Sequence, residues 1–205
     1  ECSPIVTVTR FDKIKYSSIG QPLPGIEVKI DNPNEDGIGE LLVKGDSVML
    51  GYYKDILATK RVLKYGWLHT GDLGYMDKSG FLYITGRKKN VIVTKNGKNI
   101  FPEEVEAYLN KSPYVLESIV FGKDDEKTGE TLVIAKIVPD YETIRQVFKV
   151  DDMPDDKVFE LISNEVKKTN RSMPLYKRIN SFEIRKDEFA KTTTKKIKRY
   201  MEKIS

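Results

Sequence analysis

The chain is 205 residues long, 39% hydrophobic and 32% charged, with a formal net charge of +4. That length accommodates one large domain or two small ones, the composition is that of a globular protein, and so modest a positive charge is no argument for a nucleic-acid partner. Cys2 is the only cysteine and His69 the only histidine, which excludes an internal disulfide and a cysteine-built zinc site and would rest any Ser–His or Cys–His pair on His69.

The chain opens on Glu1-Cys2-Ser3-Pro4-Ile5, without an initiating Met, a charged n-region or an apolar h-region. It is therefore expected to lack a signal peptide and to be a piece of something longer. Residues 5–9 read as a short strand, and the run Ser18-Ile19-Gly20-Gln21-Pro22-Leu23-Pro24-Gly25 as a loop dense in turn formers. Ile26-Glu27-Val28-Lys29-Ile30 alternates strictly, which predicts a half-buried strand. After a polar turn, residues 40–45 return as its partner. Asp55 is placed to cap a helix carrying Ile56, Thr59, Lys60 and Leu63.

Thr70-Gly71-Asp72 puts a carboxylate just after a glycine, which reads as a tight turn. Asp77-Lys78-Ser79-Gly80 reads as a hairpin turn, and Phe81-Leu82-Tyr83-Ile84 as a buried strand stopping at Gly86. The basic cluster Arg87-Lys88-Lys89-Asn90 follows, and beyond it strands and helices alternate. The pattern predicts a strand at 91–94, a loop centred on Gly97, and a helix from Pro102 that ends at Pro113. Strands at 118–121 and 131–138 joined by a turn at 126–130, an amphipathic helix over 154–170, a strand at 181–184 and a basic tail over 188–204 ending in a helix complete it. The expected fold is mixed α/β: a β-rich portion over 1–87, then a small α+β domain over 88–205.

Several pieces stand in one order: Glu1-Cys2-Ser3-Pro4; Gly39-Glu40-Leu41-Leu42-Val43-Lys44-Gly45 with Gly51-Tyr52-Tyr53; Trp67-Leu68-His69-Thr70-Gly71-Asp72; and Gly86-Arg87-Lys88-Lys89-Asn90. Gly97-Lys98-Asn99-Ile100-Phe101-Pro102-Glu103-Glu104-Val105-Glu106 and Lys191-Thr192-Thr193-Thr194-Lys195-Lys196-Ile197-Lys198-Arg199 follow. Over essentially its whole length the chain resembles the carboxyl-terminal part of the adenylate-forming ligases, which include acyl-CoA synthetases, luciferases and peptide-synthetase adenylation domains. Within them it looks most like the long-chain fatty-acid CoA ligases.

The resemblance implies two half-reactions. A carboxylate attacks the α-phosphate of Mg-ATP to give acyl-AMP and pyrophosphate; a thiol, normally that of CoA, then displaces AMP. Such chemistry needs a rigidly held nucleotide and stabilised phosphoryl charge. By the same resemblance Asp72 accepts hydrogen bonds from the ribose hydroxyls, and Arg87 lies near ribose and phosphate. Lys89 stands where a hinge lets the small domain rotate, and Gly97 lies in the loop that faces the site during the thioester step.

Lys196 matches the lysine that reaches the α-phosphate during adenylation. Lys195 is its neighbouring alternative, because the family's usual proline and glycine stand here as Ala190 and Lys195, and without the glycine the turn is expected to differ. Glu1 matches an acid that contacts Mg²⁺.

The substrates and ligands implied are a small-molecule carboxylate, ATP (leaving as AMP), Mg²⁺ and CoA. No nucleic-acid partner is implied. No apolar run approaches the roughly 20 residues of a membrane span. Peripheral membrane association stays compatible with the sequence, and a cytoplasmic location accords with the cysteine usage. Neither the family's glycine- and Ser/Thr-rich phosphate loop nor a G-x-x-x-x-G-K-[ST] loop occurs. The upstream portion of the same enzyme is thus an expected partner, and this chain alone is expected neither to turn over nor to bind ATP tighter than about 10 μM, an affinity that needs roughly 7 kcal/mol of organised contacts. The open alternatives are a ligase for another carboxylate, an adenylation domain loading a carrier protein, and a non-catalytic interaction module of the same shape.

Overall fold

The computed structural model describes residues 1–126 and 128–202, and the chain divides into two compact units, Glu1–Lys89 and Asn90–Ser205. Both combine strands and helices, so the mixed α/β expectation holds. Lys127 in the expected 126–130 turn, and the last residues of the expected tail helix, lie outside the described residues.

In the first unit, β1 (Thr7–Val8) pairs with β2 (Gln21–Pro22). The main sheet contains β3 (Glu27–Asp31), β4 (Gly39–Lys44), β5 (Leu63–Lys64), β6 (Trp67–Met76) and β7 (Leu82–Arg87), all antiparallel. Its long member is β6, which pairs with β4, β5 and β7. Leu41, Leu42, Val43, Leu68 and Leu82 are buried there, and β4 is buried from Gly39 through Val43 because it is covered on both faces. Helix α1 (Ile56–Val62) begins as expected: the Asp55 carboxylate accepts from the Ala58 N–H at 2.8 Å, satisfying one otherwise orphaned donor.

Two local expectations are corrected here. Thr70-Gly71-Asp72 is not a turn between elements but a β-bulge inside β6. Pairing with β4 slips between Glu40 and Leu42, where Thr70, Gly71 and Asp72 stand against Leu41 alone, Gly71 takes φ +72°, and the two extra residues are absorbed so that the strand continues past them. Likewise β7 does not stop at Gly86 but runs to Arg87, pairing Gly86 with Leu73 and Arg87 with Asp72.

In the second unit, β8 (Ile92–Val93) and β9 (Asn99–Ile100) form a hairpin. Helix α2 (Pro102–Leu109) follows, with Pro in its first turn and Glu103 and Glu104 at its positive end. It closes at Asn110, well before Pro113, so the proline does not terminate it.

Next come β10 (Val115–Asp124) and β11 (Thr131–Pro139), α3 (Tyr141–Phe148), α4 (Asp155–Arg171) and β12 (Ser181–Ile184). The sheet order is β10-β11-β12, antiparallel then parallel. Val105 and Leu109 from α2, Val158, Ile162 and Val166 from α4, and Val120, Val133 and Ile137 from the sheet meet in one buried cluster. The parallel return to β12 follows naturally, since α3 and α4 supply the crossover that parallel strands require.

Helix α3 is a feature the sequence reading did not anticipate. It buries only Ile144, and Asp140 caps it by accepting from the Thr143 N–H at 2.9 Å. The expected tail helix falls partly outside the described residues. Among the described residues the tail forms a tight turn closed by a Lys191–Ile197 bridge, then a three-residue 3-10 turn at Arg199–Met201.

Candidate functional site

The residues singled out from the sequence fall into two groups, one in each unit. In the first unit, register brings Asp72 and Arg87 opposite each other on β6 and β7. Arg87 Nε lies 2.8 Å from Asp72 Oδ1 in a side-chain ion pair, with the arginine 46% and the aspartate 29% exposed. Arg87 Nη1 also donates to the Thr70 carbonyl at 3.2 Å. A carboxylate has about four lone-pair sites and can accept from several donors at once.

The bulge presenting Asp72 is held by a glutamate to which the sequence reading assigned no role. Glu40, whose side chain is 8% exposed, accepts from Lys88 Nζ at 2.9 Å and from the Gly71 N–H at 3.2 Å, with His69 Nδ1 at 3.3 Å. Thr70 adds two more ties, donating from Oγ1 to the Leu41 carbonyl and accepting there from the Asp72 N–H. Burial pushes the Glu40 carboxyl up, but the hydrogen bonds from Lys88 and His69 outweigh it and hold it below the usual glutamate value.

Asp31, Glu40 and His69 also place one potential ligand atom each within 4.8 Å of one another. The Lys88 ammonium already supplies a cation to Glu40 at that point. The sole histidine is thus a hydrogen-bonded sheet residue. Its partner Glu40 reaches it through β4–β6 pairing, since the two stand 29 positions apart in the chain.

Glu1 lies against the segment after β4, where its carbonyl accepts from the Met49 N–H at 2.7 Å and its carboxylate accepts from the Tyr52 hydroxyl. Its oxygens remain hard donors, but among the described residues no second carboxylate or imidazole completes a three-ligand group around it. Lys89 is an exposed residue in the 3-10 turn Lys88–Asn90 and the last residue of its unit.

In the second unit, Gly97 is the left-handed residue of the β8–β9 hairpin, with φ +73° and no atom within 4 Å of where a Cβ would stand. Lys195 and Lys196 sit together in the tail turn. The Lys196 N–H donates to Thr192 Oγ1 at 3.1 Å, and its carbonyl accepts from the Thr192 N–H at 2.8 Å. At the position where the family's usual residue is glycine, Lys195 itself takes the left-handed conformation, with φ +60°. Both lysines are exposed and without an ion pair among the described residues.

Behind the turn is a second acid that carried no assigned role. Glu106 on α2 meets Arg199 Nη2 through both carboxylate oxygens and accepts from the Val120 N–H at 2.6 Å. Burial pushes its carboxyl up, to about 7, against the pull of the Arg199 guanidinium, while Glu103 beside it adds to the rise.

The sign of the linkage follows. A carboxyl raised from 4.5 in the unfolded chain to about 7 in the fold stabilises the fold below pH 4.5 and loses that contribution as pH climbs through the window. Glu106→Gln is expected to flatten this dependence, which amounts to at most on the order of 3 kcal/mol. Thermal unfolding of both chains at intervals from acid to neutral pH measures it. Parallel curves for the two proteins would contradict the shift.

Comparison with known proteins gives a consistent picture. A family model described as AMP-binding enzyme matches residues 1–53, and one described as AMP-binding enzyme C-terminal domain matches residues 89–202. A long-chain-fatty-acid–CoA ligase of Yersinia pestis is 37% identical over 191 residues, covering 82% of this chain and 34% of that protein. A 2-succinylbenzoate–CoA ligase of Bacillus subtilis is 36% identical over 190 residues, covering 81% of this chain and 38% of that protein. Among solved structures, o-succinylbenzoate CoA synthetase (MenE) from Bacillus subtilis, in complex with the acyl-adenylate intermediate OSB-AMP, superposes with a TM-score of 0.71 at 32% identity. That match covers 91% of this chain and 35% of that one. The matches thus cover between about a fifth and two fifths of the length of the curated relatives.

Proposed function

This chain belongs to the AMP-binding enzyme family, and from that premise we propose that it is the carboxyl-terminal part of an AMP-forming acid–CoA ligase. The enzyme would activate a fatty acid with ATP to acyl-AMP and pass the acyl group to CoA. The observation that carries the reading is the Asp72–Arg87 pair at the end of the first unit. It sets a carboxylate suited to two ribose hydroxyls beside a guanidinium suited to phosphate oxygens.

Residues 1–87 serve in this reading as the end of the large nucleotide-binding domain, and 88–205 as the small mobile domain, with the backbone at Lys89 as the pivot. In this reading Lys196 would act on the α-phosphate from the tail turn, and the Gly97 hairpin would line the path of the thiol. The magnesium ion that accompanies ATP would neutralise phosphate charge, and Glu1 is the residue of this chain that would hold it. The phosphate loop and acyl pocket come from the portion of the enzyme outside this chain. Among the described residues no helix is long and apolar enough to cross a membrane.

A second reading keeps the mechanism and changes the acid. The Bacillus subtilis relative is a 2-succinylbenzoate–CoA ligase at nearly the same identity as the fatty-acid ligase, so an aromatic carboxylate competes with a fatty one. ATP–pyrophosphate exchange by the full-length gene product, run against a panel of fatty and aromatic acids, decides between them. Exchange with none of the acids would defeat both.

In the same assay Asp72→Ala is expected to raise KM for ATP by about 10-fold or more, the loss of roughly 1.5–3 kcal/mol of charge-assisted hydrogen bonding. An unchanged KM would remove the ribose role.

A further inference from the structure

We infer that Glu106 is the positioning residue for Lys196: it seats Arg199 against the edge of β10 and so fixes the backbone that carries the lysine. The inference rests on the adenylation role proposed for Lys196 and extends it to what holds that lysine in place.

The geometry is a closed ring of hydrogen bonds. β10 is an outer strand of its sheet. At Val120 its N–H donates to Glu106 Oε1 at 2.6 Å, and its carbonyl accepts from Arg199 Nη1 at 3.1 Å. Arg199 Nη2 closes the ring onto both Glu106 oxygens. Side chains from α2 and the tail thereby satisfy the backbone groups of an edge that would otherwise be open. Glu106 is 12% exposed at its side chain, and a charge so covered requires a partner.

The neighbouring acid is not an equal candidate. Glu103 Oε1 stands 4.0 Å from Arg199 Nη2 and accepts instead from Asn90 Nδ2. Its other oxygen is buried with no hydrogen-bond partner among the described residues.

Only two residues separate this grip from Lys196, and both are pinned. Ile197 packs against the buried cluster of Ile119, Val138 and Phe189, and the Lys198 N–H donates to the Ala190 carbonyl at 2.8 Å. On the other side of Lys196 stands Lys195 at φ +60°. A β-carbon-bearing residue keeps that conformation only where its surroundings over-determine it. Arg199, anchored through Glu106, supplies that constraint at the end of the turn.

Two arms test this. In the chain itself, at a pH above 7 where the Glu106 carboxyl is ionised, Glu106→Gln keeps an acceptor for the Val120 N–H but removes the charge that holds Arg199. Amide hydrogen exchange at Lys196 and Lys198 is expected to quicken by about 10-fold, while amides of α4 keep their protection. Arg199→Lys, which retains charge and loses the two-pronged geometry, should shift the same amides in the same direction. Unchanged exchange in the tail overturns the proposal.

In the full-length enzyme, Glu106→Gln should lower kcat of ATP–pyrophosphate exchange by about 10- to 100-fold with KM for ATP within about twofold, because the lysine is misplaced rather than removed. Acyl transfer from preformed acyl-AMP should stay within about twofold. A loosened turn with normal kcat also overturns it. If the wild-type enzyme exchanges pyrophosphate with no acid, the functional reading fails, and the amide arm still decides whether Glu106 holds the turn.

Discussion

Lys196→Ala is expected to lower acyl-adenylate formation by the full-length enzyme at least about 100-fold, a loss of roughly 3 kcal/mol of transition-state stabilisation. Acyl transfer from preformed acyl-AMP should survive. The argument is electrostatic. Negative charge accumulates on the phosphoryl and carboxylate oxygens as the acid attacks, and an ammonium aimed there acts only in that step. Lys196 is fit for the task because its backbone is bonded on both sides to Thr192 while its side chain extends free into solvent.

Lys195 offers the control. It occupies the left-handed position of the turn, a conformation glycine adopts without strain. Lys195→Gly should therefore preserve the turn and leave adenylation within about twofold, a difference of less than roughly 0.5 kcal/mol. Rapid-quench measurement of the two half-reactions separates the cases. Equal loss in both halves for Lys196→Ala, or a large loss for Lys195→Gly, would transfer or remove the assignment.

Glu40→Ala should destabilise the first unit by about 2–4 kcal/mol. Three groups depend on that carboxylate: the Gly71 N–H, Lys88 and His69. Lys88 is 64% exposed and regains water when its partner goes. The bulge N–H of Gly71 cannot do so as freely, and the register of β6 relies on it. Most of the loss is therefore assigned to the bulge.

Glu40→Gln keeps an acceptor for that N–H and should cost about 1 kcal/mol less. Trp67, the only tryptophan, lies on β6 and reports on this unit during urea unfolding. The sign of the pH effect is opposite to that of Glu106. A carboxyl held below its unfolded value contributes stability at neutral pH and loses it as pH falls through its folded pKa. Both variants should therefore lose less stability than wild type on acidification. A cost below about 0.5 kcal/mol for Glu40→Ala would show that the bulge stands without it.

Features with a local cause were legible in advance. Asp55 before Ile56, and Pro102 followed by two glutamates, carry their capping chemistry within three or four residues, and helices begin where they predict. The alternation of residues 26–30 likewise identified a strand, β3. Thr70-Gly71-Asp72 was read as a turn because glycine's positive φ serves a turn and a bulge alike. Only the presence of β4 alongside decides between them. Helix α3 was missed although Tyr141, Ile144, Val147 and Phe148 fall at helical spacing, because only Ile144 of them is buried and the segment is just eight residues long. Its signal was the Asp140–Thr143 cap, which is local and was there to be found.

By itself, the sequence determined the order of its motifs, and with it the family and the identities of Asp72, Arg87 and Lys196 as candidates. What only the tertiary structure decided is which groups stand together. Asp72 meets Arg87 through the register of β6 and β7. Glu40 meets Lys88 and His69 through a bulged sheet, and Glu106 meets Arg199 across 93 positions of chain. A carboxylate's neighbours of that kind are chosen by strand register and core packing, and neither is written in the few residues on either side of it.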